Sequence, residues 1–357
     1  MTAPDYAGGG LVNLIAELEH RLGGAPPSPR LEPRLGALVP EASSYVLVLF
    51  DGLGSRQLMH PAASSLAAAR AADLDAPFPT TTTVSLATIA TGLAPAGHGL
   101  LGYQLWLPEV DRVVNTIKWT TLWGDPVACD TARFLPAPNT WERLTAAGAE
   151  PITVQPWNFE DTPLTRALYR GCRFEGYRDE QDAVATTIAL AGEPGRLVML
   201  YIPYVDFAAH VAGQGSEEYD AALSLADAVW SRLAALLPAG TAVVGTADHG
   251  HVDIPRDRRG VIPKADHEGR VFYGDPRVVF VKGTPPDGLP ARWVPRAEME
   301  HWWGPGPRHP AFEERAPDGV LAADDGYSVL HRFSDDRLIG QHGGLSDAER
   351  LVPLLLG

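Results

Sequence analysis

Cysteine is nearly absent from this chain: its 357 residues include only Cys129 and Cys172. Neither their number nor their spacing fits a thiolate metal site or a disulfide framework, so we expect a protein of a reducing compartment. No stretch approaches 18 uninterrupted apolar residues, which argues against a transmembrane helix. Because the first residues lack a basic segment followed by an apolar one, we expect no signal peptide and a cytoplasmic location.

Basic residues are also scarce, since 29 Lys and Arg stand against 44 Asp and Glu, a formal net charge of -15. Nucleic-acid polymers and membrane surfaces bind basic faces, so the composition argues against both as partners. To bind a small anionic substrate, the protein would need a local positive charge against its negative electrostatic field, and a metal ion is the obvious source. The composition leaves the oligomeric state open.

Apolar residues are plentiful, at 45% of the sequence, which is enough for a large core. Three continuous apolar runs end in acidic residues, at 44–52, 196–206 and 241–250, and shorter candidates lie at 151–156 and 277–283. Such runs are typical of strands buried on both faces of a parallel sheet. Helical patterns lie between them. We therefore predict an α/β fold: a three-layer α/β/α core with a mostly parallel sheet, plus an inserted cap region.

The pattern along the chain predicts four parts. Residues 1–43 read as an N-terminal helix and a Pro-rich connector, and residues 44–254 as the α/β catalytic core, with a possible β-rich excursion at 100–135. Residues 255–341, rich in Pro, Gly, Arg and Trp, read as a cap or insertion. Residues 342–357 would return the chain to the core.

Acids and histidines follow the predicted strands at their carboxyl ends, which share one edge of a parallel sheet, where ligands bind. These residues are Asp51, Asp206, His210, Asp248, His249 and His342. Oxygen and imidazole donors suit zinc or manganese, and six of them exceed the four ligands of one tetrahedral ion. Each position alone also fits an ordinary turn or a solvated loop. Their shared location at strand ends predicts a two-metal site.

A run of threonines, Thr80 to Thr83, follows Pro79 and precedes a segment that can be helical. One interpretation is a cluster of helix N-caps. The other is catalytic: the helix N-terminus helps to bind a phosphate, and one threonine oxygen binds a metal and attacks phosphorus. The run alone does not decide between the two.

The motifs in order resemble a known family. They are "VLFDG", "FPTTTTVSLATIATGLAPAGHGLLGY", "YVDFAAHVAG", "TADHG" and "GQHGG", and together they span about residues 45–345. The chain resembles the alkaline phosphatase superfamily, and within it the nucleotide pyrophosphatase/phosphodiesterase (type I phosphodiesterase) family. Each motif alone is modest, but five in the family's order are highly specific.

The resemblance implies roles for individual residues. One zinc would be held by Asp51, Thr82, Asp248 and His249, and the other by Asp206, His210 and His342. Thr82 would be the nucleophile of a reaction through a covalent phospho-threonine, which is then hydrolysed. Manganese is an alternative to zinc. His98 and Gly99 match a family "HG" that looks structural.

Thr82 is selected by its spacing from Pro79 and from the pair Thr91 and Gly92. A shift of one position would select Thr81 or Thr83 instead. The resemblance implies an Asn three residues after the nucleophile, in contact with a phosphate oxygen, but this chain has Ser85. A serine donates only one hydrogen bond, so the preferred ester class is open. Ser85 and Thr83 are the predicted substrate contacts.

The predicted substrates are small phosphoric esters, with phosphodiesters and nucleotide pyrophosphates ahead of phosphomonoesters and phosphonates. A sulfatase or a mutase fits less well, because neither a sulfatase nucleophile motif nor a large phosphosugar domain is visible. A non-catalytic metal-binding or regulatory relative is the alternative of another class. Aromatic residues that could stack a nucleobase or pack the cap against the core are Tyr103, Trp106, Trp119, Trp123, Trp302 and Trp303.

Overall fold

The computed structural model describes residues 2–357, which form strands and helices in alternation. The strands are β1 (Ser44–Phe50), β2 (Arg70–Asp75), β3 (Gln104–Leu107), β4 (Arg112–Asn115), β5 (Thr120–Thr121), β6 (Glu150–Pro156), β7 (Arg173–Tyr177), β8 (Arg196–Ile202), β9 (Thr241–Ala247), β10 (Val252–Asp253), β11 (Arg259–Val261), β12 (Val271–Asp275), β13 (Val278–Lys282), β14 (Ala291–Pro295), β15 (Gly319–Ala323), β16 (Ser328–Leu330), β17 (Gly340–Gln341) and β18 (Leu351–Leu356). The helices are α1 (Leu11–Arg21), α2 (Pro33–Gly36), α3 (Ser64–Ala69), α4 (Thr82–Thr91), α5 (Pro95–His98), α6 (Thr140–Ala146), α7 (Pro163–Leu168), α8 (Glu180–Ala191), α9 (Tyr204–Ala212), α10 (Glu217–Leu236), α11 (Arg296–Met299), α12 (Phe312–Arg315) and α13 (Asp347–Arg350). Within this part of the chain, no helix combines the length and the apolar character needed to cross a bilayer.

A seven-stranded sheet lies at the centre, in the order β2-β18-β9-β1-β8-β6-β7. β1 pairs in parallel with β8 and β9, and β6 pairs in parallel with β7 and β8. β18 runs antiparallel to both of its neighbours, β9 and β2. Every residue of β1 is buried, as expected for a strand covered on both faces. The predicted α/β class with a mostly parallel sheet is confirmed.

The register of the three central strands places their carboxyl ends side by side. Phe50, the last residue of β1, lies opposite Ile202 of β8 and Ala247 of β9. Asp51 and Asp248 therefore leave the sheet at the same level on adjoining strands. β8 is followed by α9, which carries Asp206 in its first turn. The sheet thus brings three carboxylates to one edge.

Segment 277–283, predicted as a possible core strand, belongs to a different sheet. β13 pairs antiparallel with β12 and β15, in a four-stranded sheet of order β12-β13-β15-β14. An apolar run indicates burial on both faces but not which sheet the strand joins. β2, an edge strand of the central sheet, has no continuous apolar run and was not predicted; only Leu74 of its six residues is buried.

The regions outside the central sheet pack against it. Residues 100–135 contain the three-stranded antiparallel sheet β3-β4-β5. Trp302 and Trp303 are buried, with ring centroids 5.0 and 5.8 Å from that of Phe78. These two indoles therefore pack region 255–341 against the core. β17 pairs with β10, which returns the chain to the metal-ligand edge just before His342.

Candidate active site

Helix α4 begins at Thr82 and aims its N-terminus at the carboxyl edge of the sheet. Thr81 is the N-cap residue in extended conformation, and Gly92 ends the helix with a left-handed φ of 67°. The Thr82 Oγ1 lies 3.4 Å from Asp51 Oδ1 and 3.2 Å from His249 Nε2. The amides of a first helical turn have no intrahelical acceptor and favour anions. A hydroxyl, a carboxylate, an imidazole and a helix N-terminus therefore meet at one point.

The other three threonines of the run are buried, at 0% exposure for Thr80, 2% for Thr81 and 0% for Thr83, whereas Thr82 is partly exposed. The Thr80 hydroxyl donates to the Gly344 carbonyl at 2.8 Å and accepts from the Gly343 amide at 3.1 Å. Thr81 Oγ1 lies 3.4 Å from Asp275 Oδ1. Of the four hydroxyls, that of Thr82 alone combines access to solvent with contact to the predicted metal ligands.

The carboxylates of Asp248 and Asp51 are buried, and each accepts hydrogen bonds from neighbouring protein groups. Asp248 Oδ1 accepts the amides of Gly52 and His249, each at 3.0 Å. Asp248 Oδ2 is buried and has no hydrogen-bond partner in residues 2–357. Asp51 accepts a hydrogen bond from the Tyr201 hydroxyl. Burial, and next the nearby Asp248, raise the pKa of Asp51 well above its usual range. Divalent cations would remove this mutual repulsion and give the free Asp248 oxygen a partner.

Three histidines are fixed in the tautomer that ligands need. The Nδ1 atoms of His210, His342 and His249 lie 2.7, 2.8 and 3.1 Å from the backbone carbonyls of Gly340, Thr80 and Gly250. A carbonyl only accepts, so each Nδ1 carries the proton and each Nε2 keeps its lone pair. The Nε2 atoms of His210 and His342 are 3.2 Å apart. This pattern is typical of metal-binding histidines.

The six predicted ligands other than Thr82 can be grouped by distance. Two groups have potential ligand atoms within 4.8 Å of one another: Asp51, Asp248 and His249 form one, and Asp206, His249, His251 and His342 form the other. His210 joins the second, with Nε2 3.4 Å from Asp206 Oδ1. The donors are oxygen and nitrogen, which fit zinc or manganese. His249 lies in both groups, so the two sites adjoin.

His251 is a functional residue that sequence reasoning missed. It is 1% exposed, and its Nε2 lies 2.7 Å from Asp206 Oδ1. Burial alone would raise the pKa of Asp206, but His210, His251 and His249 lower it well below its usual range, so the carboxylate is ionised. An ionised carboxylate only accepts, so His251 Nε2 carries the proton and donates it. His251 therefore positions Asp206 rather than offering a lone pair to a metal.

The backbone makes room for the His251 ring. A Cβ at Gly52 would lie 2.9 Å from His251 Nε2, and one at Gly340 would lie 3.1 Å from its Nδ1. Both glycines flank predicted motifs, in "FDG" and "GQHGG". The motif "DHGH" could have indicated His251 as a site residue, because it places a second histidine two residues after His249.

The chain is similar to known proteins in sequence and in fold. A profile of the type I phosphodiesterase/nucleotide pyrophosphatase family matches residues 45–270. The chain belongs to this family. Its members hydrolyse phosphoric esters, so the predicted enzyme class is confirmed. No curated protein sequence matches the chain.

Solved structures share the fold of this family member. Murine ectonucleotide pyrophosphatase/phosphodiesterase 5 matches with a TM-score of 0.67 at 20% identity, over 87% of each chain. An inactive variant of the same murine protein, in complex with AMP, matches with a TM-score of 0.65 at 21% identity, again over 87% of each chain. Phosphonoacetate hydrolase from Sinorhizobium meliloti, in complex with phosphonoformate, matches with a TM-score of 0.63 at 18% identity, over 89% of this chain and 91% of that one.

The predicted substrate contacts of this family member, Ser85 and Thr83, do not reach the site. Ser85 is fully buried and its hydroxyl donates to the Asp248 backbone carbonyl at 2.7 Å. Thr83 is fully buried on the same helix, and neither residue lines the cavity above Thr82. Position three after Thr82 lies on the same helical face but one turn further from the N-terminus. There the Ser85 hydroxyl is taken up by the Asp248 carbonyl, and Thr83 points to another, buried side of the helix. Ser85 instead supports the backbone of a predicted ligand.

A cavity of about 240 Å³ opens above Thr82. Three predicted metal ligands, Asp206, His210 and His342, belong to its lining. The rest of the lining is formed by Thr81, Tyr103, Ile117, Asp275, Pro276, Ser334, Asp335, Leu338 and Gln341. Within the described chain, no lysine or arginine lines the cavity. Apart from metal ions, then, the substrate meets neutral or acidic side chains.

Proposed function

We propose that this family member is a two-zinc hydrolase of phosphoric esters, acting on phosphodiesters or nucleotide pyrophosphates through a covalent phospho-threonine at Thr82. The observation that carries the proposal is the position of the Thr82 hydroxyl, which is the accessible one of its run and lies within 3.4 Å of Asp51 and His249. The murine structure with AMP supports it by analogy, because that protein is an inactive variant in which a threonine is replaced by alanine.

In this proposal, Asp51, Thr82, Asp248 and His249 hold one divalent ion, and Asp206, His210 and His342 hold the other. The unpartnered Asp248 Oδ2 and the inward Nε2 atoms support this assignment. Bound ions would lower the pKa of the Thr82 hydroxyl and offset the charge of the phosphoryl group. Manganese is the alternative to zinc, since both accept nitrogen and oxygen donors.

The chain's own groups then do the positioning. The α4 amides orient a non-bridging phosphate oxygen, and the Thr82 oxygen forms a bond to phosphorus as the ester alcohol leaves. In the second half, water attacks the phospho-threonine, the bond from Thr82 to phosphorus breaks, and the hydroxyl regains its proton. Tyr103 accepts a hydrogen bond from Gln104 at 2.7 Å, which leaves its own proton to donate into the cavity.

Phosphonate hydrolysis is the second candidate, because a phosphonoacetate hydrolase shares the fold. The charge of the cavity argues against it. Phosphonoacetate carries a carboxylate beside its phosphonate, and the cavity lining includes Asp275 and Asp335 but no lysine or arginine within residues 2–357. We therefore place phosphodiesters ahead of phosphonoacetate and of dianionic monoesters. The cytoplasmic location stays a prediction from the sequence.

The test is a panel of nitrophenyl esters and phosphonoacetate, measured before and after chelation. We expect kcat/KM for a phosphodiester to exceed that for the matched monoester by at least tenfold, about 1.4 kcal/mol at the transition state. Prolonged chelation should abolish turnover, and zinc or manganese should restore it. Full activity in excess chelator would overturn the two-metal proposal, and a tenfold monoester preference would overturn the ester class.

A further inference from the structure

A second cavity, of about 300 Å³, lies away from the predicted metal ligands and is built very differently. It is lined by aromatic rings and by arginines from β3, β4, β12 and the segments after β5, before β12 and after β16. The residues on which the argument rests are Trp106, Arg112, Trp123, Arg270, Arg332 and Phe333. We call it the Trp123 cavity.

The charge of the Trp123 cavity is opposite to that of the whole protein. Three arginines line it against one acid, Asp111, although the chain carries a net charge of -15. Arg270 pairs with Asp266 at 3.2 Å and Arg112 lies 3.5 Å from Asp111. Arg332 is exposed and makes neither a salt bridge nor a hydrogen bond with any residue from 2 to 357. One full guanidinium charge is therefore available to a ligand.

The aromatic part of the cavity contacts Arg332 and is still largely exposed at Trp123. The Trp123 side chain is 61% exposed, and its ring centroid lies 4.8 Å from that of Phe333 at an interplanar angle of 78°. The Arg332 guanidinium carbon stands 4.6 Å from the Phe333 centroid and 5.3 Å from that of Trp123. An indole exposed to this extent loses little by stacking on a ligand and gains burial.

We propose that the Trp123 cavity binds a flat aromatic group that carries a negative charge, with a nucleoside monophosphate as the chemical class. The ring would stack on Trp123 or Phe333, and the phosphate would pair with Arg332, whose planar fork suits phosphate oxygens. The volume is at the lower end of ligand cavities, about 300–1,000 Å³, and suits one such unit. A neutral nucleoside or free phosphate would use only half of the site.

This site is distinct from the active site but lies next to it along the chain. Phe333 lines the Trp123 cavity and the following residue, Ser334, lines the cavity above Thr82. No predicted metal ligand belongs to the Trp123 cavity. Binding there is therefore independent of the proposed function and can be measured in protein freed of metal.

The experiment is calorimetric titration of the chelated, full-length protein with AMP, adenosine and inorganic phosphate as separate probes. We expect AMP to bind at least tenfold more tightly than either of the others. Arg332→Gln and Trp123→Ala should each weaken AMP binding at least tenfold. Arg178 and Trp157 offer a matched control, since they form another exposed pair, 5.9 Å apart, outside both cavities. Arg178→Gln and Trp157→Ala should leave AMP binding unchanged.

Several results would overturn the proposal. They are absence of AMP binding at millimolar concentration, equal affinity for AMP and adenosine, equal affinity for AMP and phosphate, and equal loss in the control variants. Far-ultraviolet circular dichroism of each variant separates loss of the site from loss of the fold. A failure here would leave the proposed hydrolysis untouched, because none of these readouts measures turnover.

Discussion

Burial distinguishes residues that the sequence alone could not. Four adjacent threonines have the same chemistry, yet three of them are buried: the hydroxyls of Thr80 and Thr81 contact Gly343, Gly344 and Asp275, and Thr83 is fully enclosed. Those partners lie far away in the chain. The choice of Thr82 therefore depends on the tertiary structure, and it agrees with the spacing that the family resemblance implied.

Thr82→Ala should reduce kcat by about three orders of magnitude or more, because it removes the proposed nucleophilic oxygen. Thr82→Ser should keep measurable turnover, since the oxygen remains. Turnover of a nitrophenyl diester, together with metal content, gives the readout. Thr81→Ala is the neighbouring control and should retain activity. If the phosphoryl group is found on Thr81 or Thr83 after acid quench, the nucleophile has been assigned to the wrong threonine.

His251→Phe should weaken the binding of one metal ion about 10–100-fold, because the carboxylate of Asp206 loses the donor that orients it. His251→Gln can still donate from its amide and should lose much less. Chelator competition measures this without reference to activity, and His331→Phe is a control at another buried histidine. Unchanged affinity in His251→Phe would show that the contact to Asp206 is dispensable.

The site residues are carried by strands and helices from separate parts of the chain, which meet at one edge of the central sheet. The central strands β1 and β9 deliver Asp51 and Asp248, α9 delivers Asp206 and His210, and the turn after β17 delivers His342. The entry to α4 is tied to that turn through Thr80, which contacts Gly343, Gly344 and the ring of His342. One residue thus couples the nucleophile's helix to the last ligand.

Thr80→Val keeps the shape of the side chain but removes its hydroxyl, leaving the Gly343 amide and Gly344 carbonyl without that partner. We expect a loss of about 1–3 kcal/mol in the free energy of unfolding, together with weaker metal binding through His342. Denaturant unfolding and metal titration give the two values. Thr91→Val removes a bond to the Ala87 carbonyl and one from the Leu93 amide, both at the far end of α4, and should not change metal affinity. Equal effects on metal affinity in both variants would contradict the coupling.

The whole molecule carries a net negative charge, and its candidate site groups carboxylates whose repulsion bound cations would offset. Burial collects Asp51, Asp206 and Asp248 at one edge of the sheet, where only compensating charge makes the arrangement stable. The second sheet and the excursion close over that edge and add the Trp123 cavity, which has the opposite charge. Buried neutral histidines elsewhere make stability depend on pH.

His98 is fully buried, and burial lowers its pKa to about 3 from 6.5. Its Nδ1 accepts the Leu100 amide at 3.2 Å, so the neutral ring is required. Between pH 6.5 and 3 the unfolded chain binds a proton that the folded protein does not, so the free energy of unfolding falls as the pH falls. The slope from this group is about 1.4 kcal/mol per pH unit.

Denaturant unfolding from pH 7 to pH 4 checks this dependence. His98→Asn keeps an acceptor for the Leu100 amide and cannot titrate, so the slope should fall by the stated amount. His301→Asn, at an exposed histidine, should leave the slope unchanged. An unaltered slope in His98→Asn would show that other groups cause the acid sensitivity. A structural role for His98, which the family resemblance implied, stays a prediction that this experiment tests.

The sequence by itself determined the α/β class, the family and the residues that converge at the sheet edge, because these follow from apolar runs and from motifs within a few residues of one another. It did not determine the sheet to which segment 277–283 belongs, the inward turn of Ser85 or the role of His251. Those depend on contacts across long separations, such as Ser85 to Asp248 and His251 to Asp206. Hydrogen-bond partners and burial, which fix tautomers and access, exist only once the chain is folded.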